Sequence, residues 1–445
     1  MKTLKVKNHK MPKSYIHTKQ IWVKEIPKQD KRFKSLNLNY IGFFSFYFSI
    51  SVIRIILSIY LPAYLLNILN INRSNLAFVQ IFTYSVMLLA PVLGYLYDKF
   101  SRSRKVLMFS FSITLIVSFF LLIFTFNSLF IFGLIFALNL LSQQIVTVGV
   151  SKYVVLLSHN ETIKDSNLTV VNISANIGSL VPSIIFLFTV QNLYNTSNWN
   201  NFFLIGVICA LPIIFLTVFL KNECSENSLN PTFENPNLVL DKNSSKKSLY
   251  LQIFLIFLSY TLIWSDYLYQ YPISSWIITK YGENGFNVYS ISFFFFIILN
   301  CLGVLIGKWN SKRINSKLYN TNLKHALLIK HKKRIIFITI TFYIGVTTLM
   351  SFANFYILLI CFGIINILAG IMLLNYVSLM MTITKNFKYK TFAYQVLTLA
   401  LAVSSVIFIP LGTFCSLFIP TEILFLIVCF LSFLSTIPLI FIESK

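Results

Sequence analysis

From Tyr40 onward, long apolar runs alternate with short polar clusters. Each run is close to the roughly 20 residues that cross about 30 Å of hydrocarbon at 1.5 Å per residue. Six such runs come first: Tyr40–Leu66, Leu76–Tyr97, Val106–Phe126, Leu129–Val150, Leu168–Val190 and Phe202–Leu220. Six more follow a polar stretch: Leu249–Tyr271, Val288–Ile306, Ile335–Phe352, Tyr356–Met381, Phe392–Ile419 and Ile423–Ile442. The pattern predicts an all-α membrane protein of twelve spanning helices, with the shortest turns near Asn127, Asn354 and Glu422. The interruption Lys221–Ser248 is rich in Asn, Ser, Pro and charge of both signs, so it cannot bury enough to fold alone and reads as a linker. The division is therefore a basic tail over 1–39, a six-helix bundle over 40–220, a linker over 221–248 and a second bundle over 249–442. The bundles carry landmarks in like places. Pro62 and Pro272 close the first and seventh runs 210 residues apart, and Gly94 and Gly307 close the second and eighth 213 apart. That correspondence predicts two pseudo-symmetric halves.

Composition agrees: the chain is 56% hydrophobic, 11% charged and holds 45 phenylalanines, more apolar surface than a soluble fold of this size could bury. The net charge of +24 would suggest nucleic acid in a soluble domain, so the placement of the Lys and Arg residues decides its meaning. Thirty-four of the 37 fall in the tail and on alternate connections, while the other connections hold only Arg73 and Lys280. This is the positive-inside pattern, and it predicts both termini in the cytoplasm and no nucleic-acid partner. The tail before Tyr40 is too long for a signal-peptide leader, so the first run is expected to remain as a helix. Six cysteines, five within spans, show no metal-ligand spacing, and no cofactor is implied.

Away from the helix ends, two formal charges lie within the spans, Arg54 and Asp266. A charge at the bilayer centre costs about 2.5 to 3.5 kcal/mol on insertion scales, so each should face a cavity or a partner. Tyr47, Ser51, Arg54 and Ser58 recur at helical spacing along one stripe of an otherwise apolar helix, and Asn139, Gln143, Thr147 and Ser151 form a similar stripe on the fourth. The offsets of 210 and 213 carry Arg54 to Trp264 and Tyr267, beside Asp266. The expectation is that Arg54 and Asp266 face one another, either as an ion pair or as two poles of a solute site. A proton-carrying Asp266 is the weaker reading, because a neighbouring arginine would hold it ionised.

After the second run the chain reads GYLYDKFSRSRK, Gly94 to Lys105, which resembles the signature between helices two and three of the major facilitator superfamily. The resemblance implies a secondary transporter in which helices one, four, seven and ten surround a central cavity. It also implies a conformational latch of Gly94, Asp98, Lys99, Arg102 and Arg104, the aspartate pairing with basic groups and a neighbouring helix end. In the second half, GKWNSKR has Ser311 where the aspartate would be, so a single latch of this type is expected.

A narrower likeness is to the organophosphate:phosphate antiporters. Arg54 precedes Pro62 by eight residues, as that branch's phosphate-binding arginine precedes a proline, and TVVNISANIGSLVP, Thr169 to Pro182, keeps Asn172, Asn176, Gly178 and Pro182 of its fifth-helix pattern. Ala175 replaces that branch's histidine, and Trp264 with Asp266 stands where its second arginine belongs. The expected function is alternating-access transport of a small solute, an organic anion or phosphate ester by exchange or symport, with proton or counter-anion coupling. The alternatives are a sugar, amino acid or other metabolite carrier, or a drug-efflux carrier. A membrane enzyme is remote: all five histidines lie outside the spans, and neither H-E-x-x-H nor G-x-S-x-G occurs. The chain is expected to act as a monomer in a plasma or bacterial inner membrane. Its solute site is expected at Tyr47, Ser51, Arg54, Ser58, Asn139, Gln143, Asn172, Asn176, Trp264 and Asp266.

Overall fold

The apolar runs become helices because no water is present in the bilayer core to satisfy exposed backbone N–H and C=O groups. The computed structural model describes residues 29–100, 104–126, 128–158, 161–216, 220, 246–317, 324–384 and 390–442, and these contain helices, turns and no strand. α1 runs over Gln29–Ile55 and continues through two π-helical turns, Ile56–Tyr60 and Tyr64–Ile68, on either side of Leu61–Ala63. α2 joins Arg73–Ser85 to Ala90–Lys99 through a 3-10 turn, and α3 is Arg104–Leu122, α4 Leu129–Leu157, α5 Glu161–Thr189 and α6 Thr196–Ala210. In the second half α7 begins as Lys246–Ile263, tightens into a 3-10 turn at Trp264–Asp266 and resumes over 267–281. α8 covers 283–317, α9 Lys324–Met350, α10 Phe355–Thr384, α11 Lys390–Cys415 and α12 Thr421–Phe441.

Helix runs unbroken by length alone from Tyr250 to Ile314, 65 residues, roughly three times what one crossing needs. Gly282, at φ 69° and ψ −168°, ends α7 and turns the chain into α8. Side-chain-bearing residues rarely adopt that conformation. Eleven long apolar stretches therefore make twelve crossings. The α7–α8 connection is tighter than the polar residues around it suggest. α9 also begins well before Ile335, the basic sequence from Lys324 continuing the helix beyond its apolar part. Asn72 and Asn195 cap α2 and α6, accepting from the backbone N–H of Ser74 at 2.8 Å and Ser197 at 3.0 Å.

In lipid, apolar burial does not drive helices together, and close backbone approach does much of that work. A Cβ on Gly178 of α5 would collide with the Phe48 carbonyl of α1, and one on Gly412 of α11 with the Leu268 carbonyl of α7. The first and fifth helices of each half are thus packed alike. The halves meet where α2 packs on α11 and α5 on α8. Phe188 and Phe352, 77% and 80% exposed, belong to the apolar belt turned toward hydrocarbon. α1 is central instead: 72% of its most apolar stretch is buried, against 33% for α2.

Candidate solute site and the contacts that close it

Arg54 occupies the last α-helical turn of α1 before the first π-helical turn. Pro62, which lacks a backbone donor, lies between the two π turns, where wider i to i+5 bonding opens the helix wall. Around Arg54 the side chains of Ile50, Ile53 and Ile56 are fully buried, whereas Arg54 itself is half-exposed within the bundle. Its electrostatic neighbours are Tyr267 of α7 and Tyr47 of its own helix. Among the described residues the guanidinium has no hydrogen bond and no ion pair. Five donors therefore point into the centre of the molecule unused.

An aromatic wall faces it. Trp264 packs on Tyr267 at 5.4 Å and on Tyr260 at 6.0 Å, and Tyr260 on Tyr376 of α10 at 5.0 Å. Tyr394 of α11 neighbours both Tyr47 and Tyr260. Ser51 precedes and Ser58 follows Arg54 along the same helix, Ser51 buried and Ser58 half-buried. One guanidinium among tyrosine and tryptophan faces suits a small solute with an anionic end and a flat or ring-shaped body.

Asp266 sits in the 3-10 turn of α7, six residues before Pro272, much as Arg54 precedes Pro62. The two do not pair. The Asp266 Oδ2 accepts from Gln270 Nε2 one turn on, and its charge acts on Tyr260, Tyr267 and Tyr269 of α7 and Tyr343 of α9. Tyr267 is within the electrostatic reach of both Arg54 and Asp266. A 3-10 turn advances the chain differently from the regular helix assumed in aligning the two, and of the two expected arrangements the ion pair is not the one formed.

Several residues expected at the solute site hold helices together instead. Asn139, fully buried, donates to the Leu115 carbonyl at 3.1 Å and to Ser118 Oγ at 3.0 Å on α3, and accepts from Gln143 Nε2 at 2.8 Å. Its side chain is committed to α3, and Gln143 is committed to it. Asn172 donates back to the Leu168 carbonyl of its own helix at 2.8 Å. Asn176 donates to Asn300 Oδ1 of α8 at 2.8 Å, and Asn300 donates to the Asn366 carbonyl of α10 at 3.0 Å. The fifth-helix asparagines thus serve contacts within α5 and between halves. Tyr47, Ser51, Arg54, Ser58 and Trp264 are the expected residues that remain at the centre.

At the basic end of the bundle, Asp98 at the end of α2 pairs with Lys152 of α4 at 2.9 Å and accepts from the backbone N–H of Phe392, at the start of α11, at 3.0 Å. Lys152 also donates to the Tyr97 carbonyl at 3.1 Å, and buried Arg104 donates to the same oxygen at 2.6 Å. Gly94 lies under α11, where a Cβ would press on Gln395 and Phe392. Lys99 is exposed, its ammonium over the Phe100 ring, and does not hold Asp98. Arg102 lies outside the described residues.

A family profile described as Major Facilitator Superfamily matches residues 40–321. The chain belongs to the major facilitator superfamily. A search of curated proteins found no match. Two solved transporters share the fold. The human organic anion transporter MFSD10 (TETRAN) aligns at TM-score 0.60 and 12% identity, covering 93% of this chain and all of that one. The nucleoside transporter NupG aligns at 0.59 and 12% identity, covering 91% and 98%. Membership of the superfamily makes it a multi-pass membrane transporter of small solutes rather than an enzyme, and the two structures show the same fold.

In the second half a different contact stands at the corresponding place. Ser311 of α8 does replace the aspartate, yet the carboxylate is supplied from the other half. Asp165, near the start of α5, accepts from Ser311 Oγ and from Ser378 Oγ of α10, the latter at 3.0 Å. Beside it Lys164 donates to the Ser378 carbonyl at 3.2 Å and to Thr382 Oγ1 at 2.6 Å, and Lys332 of α9 donates to Ser378 Oγ at 2.7 Å. The basic end is therefore joined twice, with α2 and α11 at one contact and α5, α8 and α10 at the other. Sequence reasoning treated Lys152, Lys164 and Asp165 as connection residues. Their proximity to helix ends was visible, but their partners, more than fifty to two hundred residues away, were not.

At the opposite end the halves also touch. Arg73 donates to Ser416, just past the end of α11, at both its carbonyl and Oγ at 2.9 Å, and to Ser275 of α7 at 3.3 Å. The Leu193 N–H donates to Glu283 at 2.9 Å. Deeper in, Tyr60 of α1 and Phe186 of α5 meet Phe286 of α8 at 6.3 and 5.3 Å.

Proposed function

We propose that this transporter carries a small organic monoanion by alternating access, with the Arg54 guanidinium binding its anionic group and Tyr47, Trp264 and Tyr267 lining its body. The unpartnered Arg54 at the centre of the bundle carries this reading. A cation without a counter-charge inside a membrane is costly, and an anion that neutralises it regains part of that cost on binding. One guanidinium matches one negative charge, which argues against the dianionic phosphate esters of the antiporter branch, whose second arginine is missing here. The organic anion transporter among its fold relatives supports the same class.

The two halves, joined by the linker over 221–248, rock about the central site. The Asp98 and Asp165 contacts close the basic end, and Arg73, Glu283 and the Tyr60–Phe186–Phe286 cluster close the other. The positive-inside distribution supports a cytoplasmic basic end and cytoplasmic termini. A single chain, holding both halves and the site between them, is the working unit of this reading, in a plasma or bacterial inner membrane.

Thermal shifts over p-aminohippurate, glycerol 3-phosphate, succinate, glucose, alanine and adenosine test the assignment, repeated with Arg54→Ala. Stabilisation by p-aminohippurate that disappears in R54A is expected. Stabilisation by neutral solutes only, indifferent to R54A, would reject the anion reading, and absence of counterflow for the whole panel would reject this transport reading.

A further inference from the structure

The proposal that Arg54 holds an anion leaves the second charge of the membrane interior without a task. Asp266 is half-exposed as a residue, yet its Oδ1 is sealed and has no hydrogen-bond partner. Its Oδ2 is held by Gln270 alone among side chains. No cation pairs with it among the described residues. The titratable groups that face it are hydroxyls: Tyr260, Tyr267 and Tyr269 from α7 and Tyr343 from α9. α11 and α12 also pack on this turn, and neither brings a charged side chain to it among the described residues. An ionised carboxylate with one oxygen unsatisfied in a low-dielectric interior is costly, and the charge of Arg54 is what offsets that cost without solute; once an anion neutralises the guanidinium, a proton on the carboxylate removes the charge.

We infer that Asp266 is the coupling-proton site, and that one proton enters on it with each monoanion bound at Arg54. The inference rests on the anion reading of Arg54 and follows from charge balance about Tyr267, which both groups face. Without solute, cationic Arg54 and anionic Asp266 sum to zero in the centre of the bundle. A monoanion alone would leave that centre with a net negative charge while it crosses the least polar part of the membrane. A proton taken up by the Asp266 carboxylate restores zero, so the empty and loaded forms both move without net charge. The partly exposed side of Asp266 gives the proton its route to the carboxylate.

Infrared difference spectra of the full chain in lipid, between acidic and alkaline buffer, read the proton directly. A protonated-carboxyl band that is lost in Asp266→Asn and returns shifted in Asp266→Glu is expected. Persistence of every carboxyl band in D266N would overturn the site. In proteoliposomes, p-aminohippurate uptake should be accelerated by acid outside the vesicles and unmoved by a potassium–valinomycin potential. D266N should lose the acid acceleration relative to its own counterflow, and its retention would overturn the coupling, as would potential-dependent uptake by the wild type. Absence of counterflow for every anion of the panel in the wild type would overturn the anion reading and the coupling with it, while the infrared band would still decide whether Asp266 binds the proton.

Discussion

At the residue scale, the molecule separates polar groups that are spent from those that are not. Arg54 and Asn139 both lie on polar stripes of central helices, yet Asn139 has its amide engaged on α3 and Gln143, whereas the Arg54 guanidinium is open. Arg54→Lys keeps the charge and loses the planar fork, so carboxylate binding should weaken about tenfold, roughly 1.4 kcal/mol, in isothermal titration with p-aminohippurate. Asn139→Leu should lower stability by about 1 kcal/mol, the scale of an interhelical hydrogen bond in a membrane, with the dissociation constant unchanged. A fall in affinity without a fall in stability would return Asn139 to the solute site. Lys152→Ala leaves Asp98 buried without its cation and should cost about 3 kcal/mol. In a double-mutant cycle with Asp98→Asn, a combined loss well below the sum of the two is expected, and strict additivity would mean that the pair does not interact.

Elements were legible in proportion to how local their causes are. The twelve crossings follow from run length, and the departures from α geometry near Pro62 and Pro272 fall where the sequence has its two matching prolines. What the spacing could not supply was rotation. A 3-10 turn at Trp264–Asp266 advances the chain differently from an α-turn, so an alignment of Arg54 with Asp266 drawn on ideal helices misses. The asparagines of α5 failed for a related reason: helical spacing puts Asn172 and Asn176 on one face without saying that α8 lies against it. Asp165 was invisible as a partner of Ser311 because the half that lost the aspartate receives a carboxylate from the other half. The α1–α5 contact gives this scale its sharpest test. Gly178→Val places branched carbons where the Phe48 carbonyl stands, so α1 and α5 must separate. Folded yield by size-exclusion fluorescence should collapse, while Gly345→Val, at a position with open space around it, should fold normally.

For the whole molecule, the question is how two bundles joined at both ends come apart at one. At the basic end the two contacts are built from different parts: a carboxylate with a lysine and a helix N-terminus at Asp98, and at Asp165 a carboxylate with two serines, one of which also takes Lys164 and Lys332. The first has the favourable dipole of α11 in addition to its side-chain partner, so it should be the stronger. A contact worth about 1.4 kcal/mol shifts the ratio of closed to open forms tenfold when deleted. Because the contacts sit on different helix pairs and share no side chain, their deletions should add. Spin labels replacing exposed Lys99 on α2 and Lys312 on α8, in a background without the native cysteines, report that end by pulsed electron resonance. Asp165→Ala should broaden the distance distribution toward longer values, Asp98→Ala should do so further, and the double variant should populate mainly the open form. The reverse order would assign the main restraint to the serine-bound carboxylate. No lengthening in the double variant would mean that packing of α2 on α11 and α5 on α8 closes that end without either carboxylate.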